Sequence, residues 1–223
     1  MRAQFTTPIT CLITPGATAS GDAPEDTLAL VRLAAERGVT LVQLREKNLT
    51  ARELYRLASR AAALVRGTRT RLLVNDRADV ARAAGCDGVH LTAVSLEASA
   101  VRRAFGEDFL VGVSTHSLAE AREARDGGAA DFATFGPVFD TPSKRAYGPP
   151  VGLGALGEAA RSLAGFPVVA LGGVSEENVA AVLAAGAAGI AAIRMFADEQ
   201  RLGRALRLIA GRVGAEGGRE GSG

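Results

Sequence analysis

Eight short runs rich in Val, Ile and Leu recur along the chain, and longer segments with helical spacing separate them. The runs cover residues 9–14, 39–45, 71–75, 87–91, 109–113, 131–135, 167–171 and 188–193. Between them, segments such as "DTLALVRLAAERG" and "ARELYRLASRAAALV" place apolar residues three and four positions apart, which is typical of amphipathic helices. The pattern therefore predicts eight strand–helix units in succession.

Helix-start signals agree with this division of the chain. Thr50-x-x-Glu53 and Ser117-x-x-Glu120 each match the capping box, in which a hydroxyl and a carboxylate satisfy the first backbone N–H groups. Pro24 falls where a first helical turn is expected, a position that tolerates proline. The helices are therefore expected to follow directly after the strand-end loops.

A repeated strand–helix unit predicts a parallel sheet, because each helix must return the chain to the start of the next strand. The strands are nearly continuous in hydrophobicity, which favours a closed (β/α)8 TIM barrel over residues 9–210 as one domain. Residues 1–8 are then a lead-in, and the Gly-rich stretch 211–223 is expected to be a flexible tail. The alternative is an open doubly wound sheet, but no GxGxxG follows the first run to support a dinucleotide fold.

Composition narrows the class of protein. The 223 residues are 48% hydrophobic and 22% charged, and the net charge of +2 with 4% aromatic residues does not favour a nucleic-acid surface. We find no apolar run long enough for a signal peptide or a membrane span, so a cytoplasmic protein without membrane partners is expected. Two Cys and two His residues are too few for a disulfide framework or a zinc site, and a homo-oligomer is compatible with the sequence.

Polar residues collect where the predicted strands end, which is where active sites lie in barrels of this kind. Gln43, Arg45 and Lys47 alternate along the second strand, so an extended chain would direct them to one face. A guanidinium and an ammonium together suit an anion clamp, although solvated rim charges are the simpler alternative. Other strand ends carry Asn75, Asp76, Ser114, His116, Ile193 and Arg194.

Three of the polar residues have two interpretations each. Asp76 is either the N-cap of the third helix or a ligand. His90, on an apolar strand, is more often a structural residue than a functional one. His116 is either part of a loop or a proton carrier.

The segment 136–150 runs for fifteen residues without periodicity, and loops of that length in compact domains are usually functional or mobile. Thr141, Ser143 and Lys144 supply hydroxyl groups and a cation, as phosphoryl oxygens require. Gly172 and Gly173 follow the seventh strand, which is the usual phosphate-binding position of these barrels. The sequence thus predicts a phosphorylated ligand at this end.

The motifs together resemble the thiamine-phosphate synthase and thiazole tautomerase family over about residues 9–197. They are "VQLREK", "VNDRADVA", "GCDGVHL", "VGVSTHS", "DFATFGPVFDTPSK" and "VVALGGVSEENV". The resemblance implies a (β/α)8 barrel that joins a hydroxymethylpyrimidine diphosphate to a thiazole phosphate and releases diphosphate with the help of Mg2+. Its partners would be these two phosphorylated small molecules.

The resemblance also implies roles for individual residues. Those expected to be catalytic are Arg45, Lys47, Ser114, His116 and Lys144. Those expected to bind substrate are Gln43, Asn75, Thr141, Ser143, Gly172, Gly173, Ile193 and Arg194. Asp76 would be the metal ligand, Ser114 would face the pyrimidine, and Thr141 with Ser143 would hold the thiazole phosphate.

Two positions depart from the synthase pattern. Ser95 stands where a second metal-binding Asp is usual, and Arg194 stands where a Ser near the phosphate is usual. Two alternatives therefore stay open. One is a thiazole tautomerase that uses His116 as acid and base, and the other is a non-catalytic barrel that binds thiamine precursors.

Overall fold

A computed structural model describes residues 5–141 and 149–216. Eight parallel strands close into a barrel in the order of the sequence, which confirms the (β/α)8 TIM barrel and excludes the open sheet. The strands are β1 Ile9–Ile13, β2 Leu41–Leu44, β3 Arg71–Asn75, β4 Gly88–Leu91, β5 Leu110–Thr115, β6 Phe132–Phe135, β7 Val168–Leu171 and β8 Gly189–Ala192.

A helix follows every strand in the described part of the chain. The helices are α1 Glu25–Glu36, α2 Ala51–Val65, α3 Ala78–Ala83, α4 Ala98–Phe105, α5 Leu118–Asp126, α6 Gly152–Ser162, α7 Val179–Ala184 and α8 Glu199–Glu216. A 3-10 turn, Arg194–Phe196, lies between β8 and α8. Helix α8 continues to Glu216, beyond residue 210 where the sequence places the end of the barrel. No helix among the described residues is both long and apolar enough to cross a membrane.

Helix starts match the capping signals in one case fully and in one case in part. Thr50 and Glu53 form both bonds of the capping box at α2. Ser117 accepts the Glu120 N–H at α5, but the Glu120 carboxylate accepts the N–H of His116 at 2.8 Å, not that of Ser117. Pro24 precedes α1 at the N-cap position.

Side chains alternate between two separate cores because successive strand residues point to opposite faces. The inner core fills the barrel and includes Ile9, Cys11, Leu41, Leu73 and Phe132. A larger outer core packs the other strand faces, such as Val42 and Val74, against the helices. Apolar side chains fill the amino-terminal part of the barrel, so it is a packed core and not a channel.

At the amino ends of the strands, two aspartates join neighbouring strands. Asp87, just before β4, accepts the Leu72 N–H of β3 at 2.8 Å and a bond from Arg71 at 2.9 Å. Asp131, just before β6, accepts the Val111 N–H of β5 at 2.8 Å and a bond from Arg102 at 2.8 Å. Each carboxylate therefore stabilises a strand start and pairs with a cation.

Both cysteines are buried as free thiols. Burial raises the pKa of Cys11 and of Cys86 to about 12, so both remain protonated at neutral pH. Neither thiol is therefore an activated nucleophile.

Candidate active site

Polar side chains replace the apolar filling of the barrel near its carboxyl end. We call the set Gln43, Asn75, His90, Ser114 and Thr134 the polar layer. Strand register brings these residues together, since Asn75 is the partner of His90 and Ser114 is the partner of Thr134. Gln43 is buried and donates from Nε2 to Asn75 Oδ1 at 2.9 Å, while its own Oε1 has no partner among the described residues. Gln43, Asn75 and Ser114 therefore lie at one end of the barrel, whereas Lys144, which the sequence places with them, lies outside the described residues.

His90 lies fully inside the barrel. Its Nε2 is 3.0 Å from Ser114 Oγ and 3.4 Å from Thr134 Oγ1, and its Nδ1 has no partner within the described residues. Burial lowers the pKa of His90 to about 4, so the ring is neutral near pH 7. A Cβ on Gly112 would lie 2.7 Å from His90 Nδ1, so glycine there makes room for the ring. His90 is thus a structural residue that also orients Ser114.

Two cations at the barrel mouth, Arg45 and Lys47, have no ion-pair partner in the part of the chain that the structure describes. Arg45 is half-buried and Lys47 is exposed, and neither forms an ion pair within the described residues. The Arg45 N–H donates to Thr14 Oγ1 at 2.9 Å, which fixes the backbone. Strand β2 ends at Leu44, so only Gln43 of the predicted alternating set belongs to the strand itself.

Asp76 is not the N-cap of α3, so that interpretation of the sequence is wrong. The helix begins at Ala78 after Arg77, and Asp76 takes the left-handed conformation with φ of 68°. Its N–H donates to the His90 carbonyl at 2.9 Å, and its exposed carboxylate accepts no hydrogen bond from the described residues. A left-handed non-glycine residue is uncommon and often marks a functional site.

Ser95 is occupied in a local turn. Its Oγ accepts the Thr92 N–H at 2.7 Å and lies 3.1 Å from Thr92 Oγ1. Across residues 5–141 and 149–216, no group of three His, Cys, Asp or Glu side chains is close enough to hold a metal ion. The metal-binding role of Asp76 therefore stays a prediction.

A small pocket of about 80 Å³ opens between the ends of β5, β6 and β7. Ser114, His116 and Thr134 contribute polar atoms to its lining, with Pro137 and Gly172 on the other side. His116 is exposed and its Nδ1 lies against the Gly136 carbonyl. Because a carbonyl only accepts, Nδ1 carries a proton, and Nε2 makes no hydrogen bond to the described residues.

The glycine pair after β7 is required by close packing. Gly172 has φ of 96° and its Cβ would lie 2.6 Å from Pro137 Cα, while Gly173 has φ of 68° and its Cβ would lie 2.6 Å from Phe139 Cβ. The N–H groups of Gly173 and Val174 make no hydrogen bond to the described residues. Free amides next to left-handed glycines form a concavity suited to anions.

The comparisons with known proteins agree with this geometry. The family model described as thiamine monophosphate synthase matches residues 11–196. A Geobacter sulfurreducens protein is 48% identical over 186 residues, covering 83% of this chain and 86% of its own. The thiamine-phosphate synthase of Methanoculleus marisnigri is 42% identical, covering 83% of this chain and 87% of its own.

The chain belongs to the thiamine monophosphate synthase family. A solved structure of the thiamine phosphate pyrophosphorylase from Pyrococcus furiosus also superposes with a TM-score of 0.76 at 30% identity. It covers 91% of this chain and 96% of its own. Family and fold therefore rest on independent matches of sequence and structure.

The structure gives less information about the other predicted site residues of this family member. Thr141 is buried, whereas Ser143 and Lys144 lie outside the described residues. Ile193 packs against the inner core, and Arg194 begins the 3-10 turn as an exposed residue. Their roles toward substrate stay predictions.

Sequence reasoning missed one buried acid in this family member. Glu46, between Arg45 and Lys47, is only 4% exposed and accepts the Thr18 N–H at 3.1 Å. Strand alternation gives no signal for it, because the strand has already ended. Its partner comes from another loop, which a local pattern does not reveal.

Proposed function

We infer that the protein is a thiamine-phosphate synthase, a transferase that joins a hydroxymethylpyrimidine diphosphate to a thiazole phosphate and releases diphosphate. The observation that carries this is the polar layer beneath Arg45 and Lys47, which form no ion pair with the described residues, at one barrel mouth in a chain of this family. The layer offers directional hydrogen bonds to a heterocycle, and the cations offer charge to an anion. Both are needed at once for a phosphorylated pyrimidine.

Arg45 and Lys47 would bind the departing diphosphate. Negative charge grows on the leaving group as its bond to the pyrimidine breaks, and fixed cations lower the free energy of that transition state. Arg45 can form two parallel bonds with phosphate oxygens, while Lys47 acts as a mobile point charge. Both cations have no competing ion pair within the described residues.

Ser114 would donate a hydrogen bond to the pyrimidine. A proton on His90 Nδ1 would be a buried donor without an acceptor, so the tautomer with its proton on Nε2 is favoured. That Nε2–H then donates to Ser114 Oγ, 3.0 Å away. The Ser114 hydroxyl hydrogen is thereby left for the substrate. Asn75 has a similar arrangement, because its Oδ1 is occupied by Gln43 and its amide NH2 is left to donate.

Mg2+ fits this site as an ion held jointly by protein and substrate. The Asp76 carboxylate is exposed and accepts no hydrogen bond from the described residues, and oxygen ligands are those that Mg2+ prefers. Ser95 is engaged with Thr92, so phosphate oxygens would complete the coordination. When bound, the ion neutralises charge on the leaving diphosphate.

The thiazole phosphate would bind at the glycine pair after β7. The free N–H groups of Gly173 and Val174 supply donors, and Thr141 with Ser143 is proposed to add hydroxyl groups. Arg194 at the end of β8 would add charge to the same phosphate. The expectations of a cytoplasmic location and of a homo-oligomer stay predictions.

A thiazole tautomerase is the second candidate, because His116 presents a free Nε2 beside the small pocket. That nitrogen could move a proton on a bound thiazole. The synthase requires the anion-binding residues Arg45 and Lys47 as well, which a tautomerase does not. The two activities are therefore separable by substrate.

The test is a two-substrate assay on the purified protein, with and without Mg2+. We expect thiamine phosphate to form only when both phosphorylated precursors and Mg2+ are present, as measured by chromatography of the product. Isomerisation of the thiazole carboxylate phosphate with no condensation would assign the protein as a tautomerase. Product binding with neither reaction would identify a non-catalytic barrel.

A further inference from the structure

The loop between β1 and α1, residues 14–24, lies directly against Arg45. Thr14 Oγ1 accepts the Arg45 N–H at 2.9 Å, and Thr14 itself is fully buried. A Cβ built on Gly16 would lie 2.9 Å from the Arg45 carbonyl oxygen and 3.6 Å from its Nη1. Gly16 has φ of 73°, so both its conformation and its contact with Arg45 favour glycine. The loop therefore forms one wall of the space that the guanidinium occupies.

Glu46 holds the middle of this loop. The carboxylate is 4% exposed, and Oε2 accepts the N–H of Thr18 at 3.1 Å. The hydroxyl of Thr18 lies 3.0 Å from that of Thr27 in α1, which connects the same point to the helix. Glu46 adjoins Arg45 in the chain, so a single backbone segment carries both the cation and the anchor of the loop beside it.

The burial of Glu46 is not explained by stability. Its Oε1 is buried and has no hydrogen-bond partner among the described residues. A buried carboxylate with an unsatisfied oxygen lowers the free energy of unfolding relative to a well-packed apolar residue. Residues that break a rule of this kind are expected mainly at functional sites.

The far end of the loop depends on a second carboxylate. Ser20 Oγ and the Gly21 N–H donate to Glu53 at 2.8 Å and 3.0 Å. Hydrogen bonds from Thr50, and then from Ser20, lower the pKa of Glu53 to about 2. A groove of about 540 Å³ separates this part of the loop from α2, with Pro24 on one side and Tyr55 on the other. Hydrogen bonds to two carboxylates, Glu46 and Glu53, therefore hold the loop.

We propose that Glu46 is a positioning residue that holds the 14–24 loop against Arg45 and so fixes the guanidinium for the diphosphate group of the substrate. This rests on the proposed function, in which Arg45 binds that diphosphate. Glu46 itself does not touch substrate. Its effect is transmitted through the Thr18 N–H and the contact between Gly16 and Arg45.

The first test compares Glu46→Ala with Glu46→Gln. The amide oxygen of glutamine still accepts the Thr18 N–H, whereas alanine removes the acceptor. We expect Glu46→Ala to weaken binding of inorganic diphosphate about tenfold, measured by calorimetry with Mg2+, and Glu46→Gln to restore it. Glu36→Ala, an exposed acid of α1, is the matched control. Equal affinities for Glu46→Ala and Glu36→Ala would overturn the proposal.

A double-mutant cycle with Arg45→Met separates positioning from a general structural effect. If Glu46 acts through Arg45, Glu46→Ala has no further effect on diphosphate binding once Arg45 is Met. Additive losses would show that Glu46 acts on another part of the site and would overturn the proposal. If Arg45→Met binds diphosphate as well as wild type, the role of Arg45 in the proposed function fails first.

A second variant keeps the test decisive if Glu46→Ala does not fold. Gly16→Ala leaves Glu46 in place but adds a methyl group 2.9 Å from the Arg45 carbonyl at a left-handed position. We expect a similar loss of diphosphate affinity, again absent in the Arg45→Met background. Unchanged affinity in a folded Gly16→Ala protein would show that the loop does not position Arg45.

Discussion

The two ends of the barrel treat charge in opposite ways. At the amino ends, Asp87 and Asp131 pair with Arg71 and Arg102 while accepting strand N–H groups. At the carboxyl ends, four charged residues form no ion pair within the described residues, namely Arg45, Lys47, Asp76 and Arg194. The charges at the amino ends join strands, whereas those at the carboxyl ends are, in the proposed function, available to a charged ligand. This agrees with the general separation of stability and function in such barrels.

The largest expected effect on the free energy of unfolding is at Asp131, an amino-end residue. Its side chain is 2% exposed and that of Arg102 is 11% exposed, so Asp131→Ala leaves a buried cation and an unpaired Val111 N–H. We expect the free energy of unfolding to fall by about 3–5 kcal/mol, measured by urea denaturation. The kcat/KM of the folded protein should be unchanged. A loss below about 1 kcal/mol would show that the amino-end charges do not stabilise the barrel.

His90 tests whether the polar layer also affects stability. Its pKa is lowered by burial from 6.5 to about 4, so the unfolded chain takes up a proton at higher pH than the folded protein does. The stability that the neutral ring contributes is therefore present above about pH 6.5 and is lost as the pH falls toward 4. The expected loss is about 3 kcal/mol.

The measurement is urea denaturation at pH 7 and pH 4.5 for wild type, His90→Gln and His116→Gln. His90→Gln should lose less stability on acidification than the other two proteins. The same loss in all three would mean that His90 is not the group responsible. His116 is the control because it is exposed.

A substitution at Arg45 tests whether a charge at the carboxyl ends of the strands serves activity and not stability. Arg45→Met should lower kcat/KM by an amount equivalent to a loss of more than about 2 kcal/mol of transition-state stabilisation. The reason is that the guanidinium would stabilise charge on the leaving diphosphate. The free energy of unfolding should change little, since the side chain forms no ion pair with the described residues. Arg52→Met, on the exposed face of α2, is the control. A loss under threefold would identify Arg45 as a solvated rim residue.

The smallest effect is expected at Arg71, the exposed member of the amino-end pairs. Its side chain is 62% exposed, and Asp87 keeps the Leu72 N–H as a partner when Arg71 is removed. Arg71→Ala should lower the free energy of unfolding by less than about 1 kcal/mol, with unchanged activity. A larger loss would mean that the charge pair, and not the strand N–H bond, dominates at Asp87.

The fold was predictable because it depends on a repeated local pattern. Eight apolar runs and the helical segments between them require parallel strands, and Thr50 marks a helix start through its own neighbours. The common location of Gln43, Asn75 and Ser114 also follows, since parallel strands end on one side. These inferences need only strand direction and residue alternation.

The features of the site that could not be predicted from the sequence depend on contacts between segments that are distant in the chain. The burial of Glu46 requires the Thr18 N–H from another loop, and the role of His90 requires Ser114 of the next strand, two residues beyond its register partner Gly112. The left-handed backbone of Asp76 removes it from the N-cap position that its residue type favours. Tertiary geometry decides each of these, and sequence patterns do not contain it.

The two buried thiols give this barrel a pair of built-in reporters. Cys11 belongs to the inner core and Cys86 to the outer core, and only the thiolate reacts with alkylating reagents. Each cysteine can therefore be labelled only when its own layer opens to water. Labelling rates followed by mass spectrometry would show whether the inner core of the barrel and the outer core beneath the helices open together or separately.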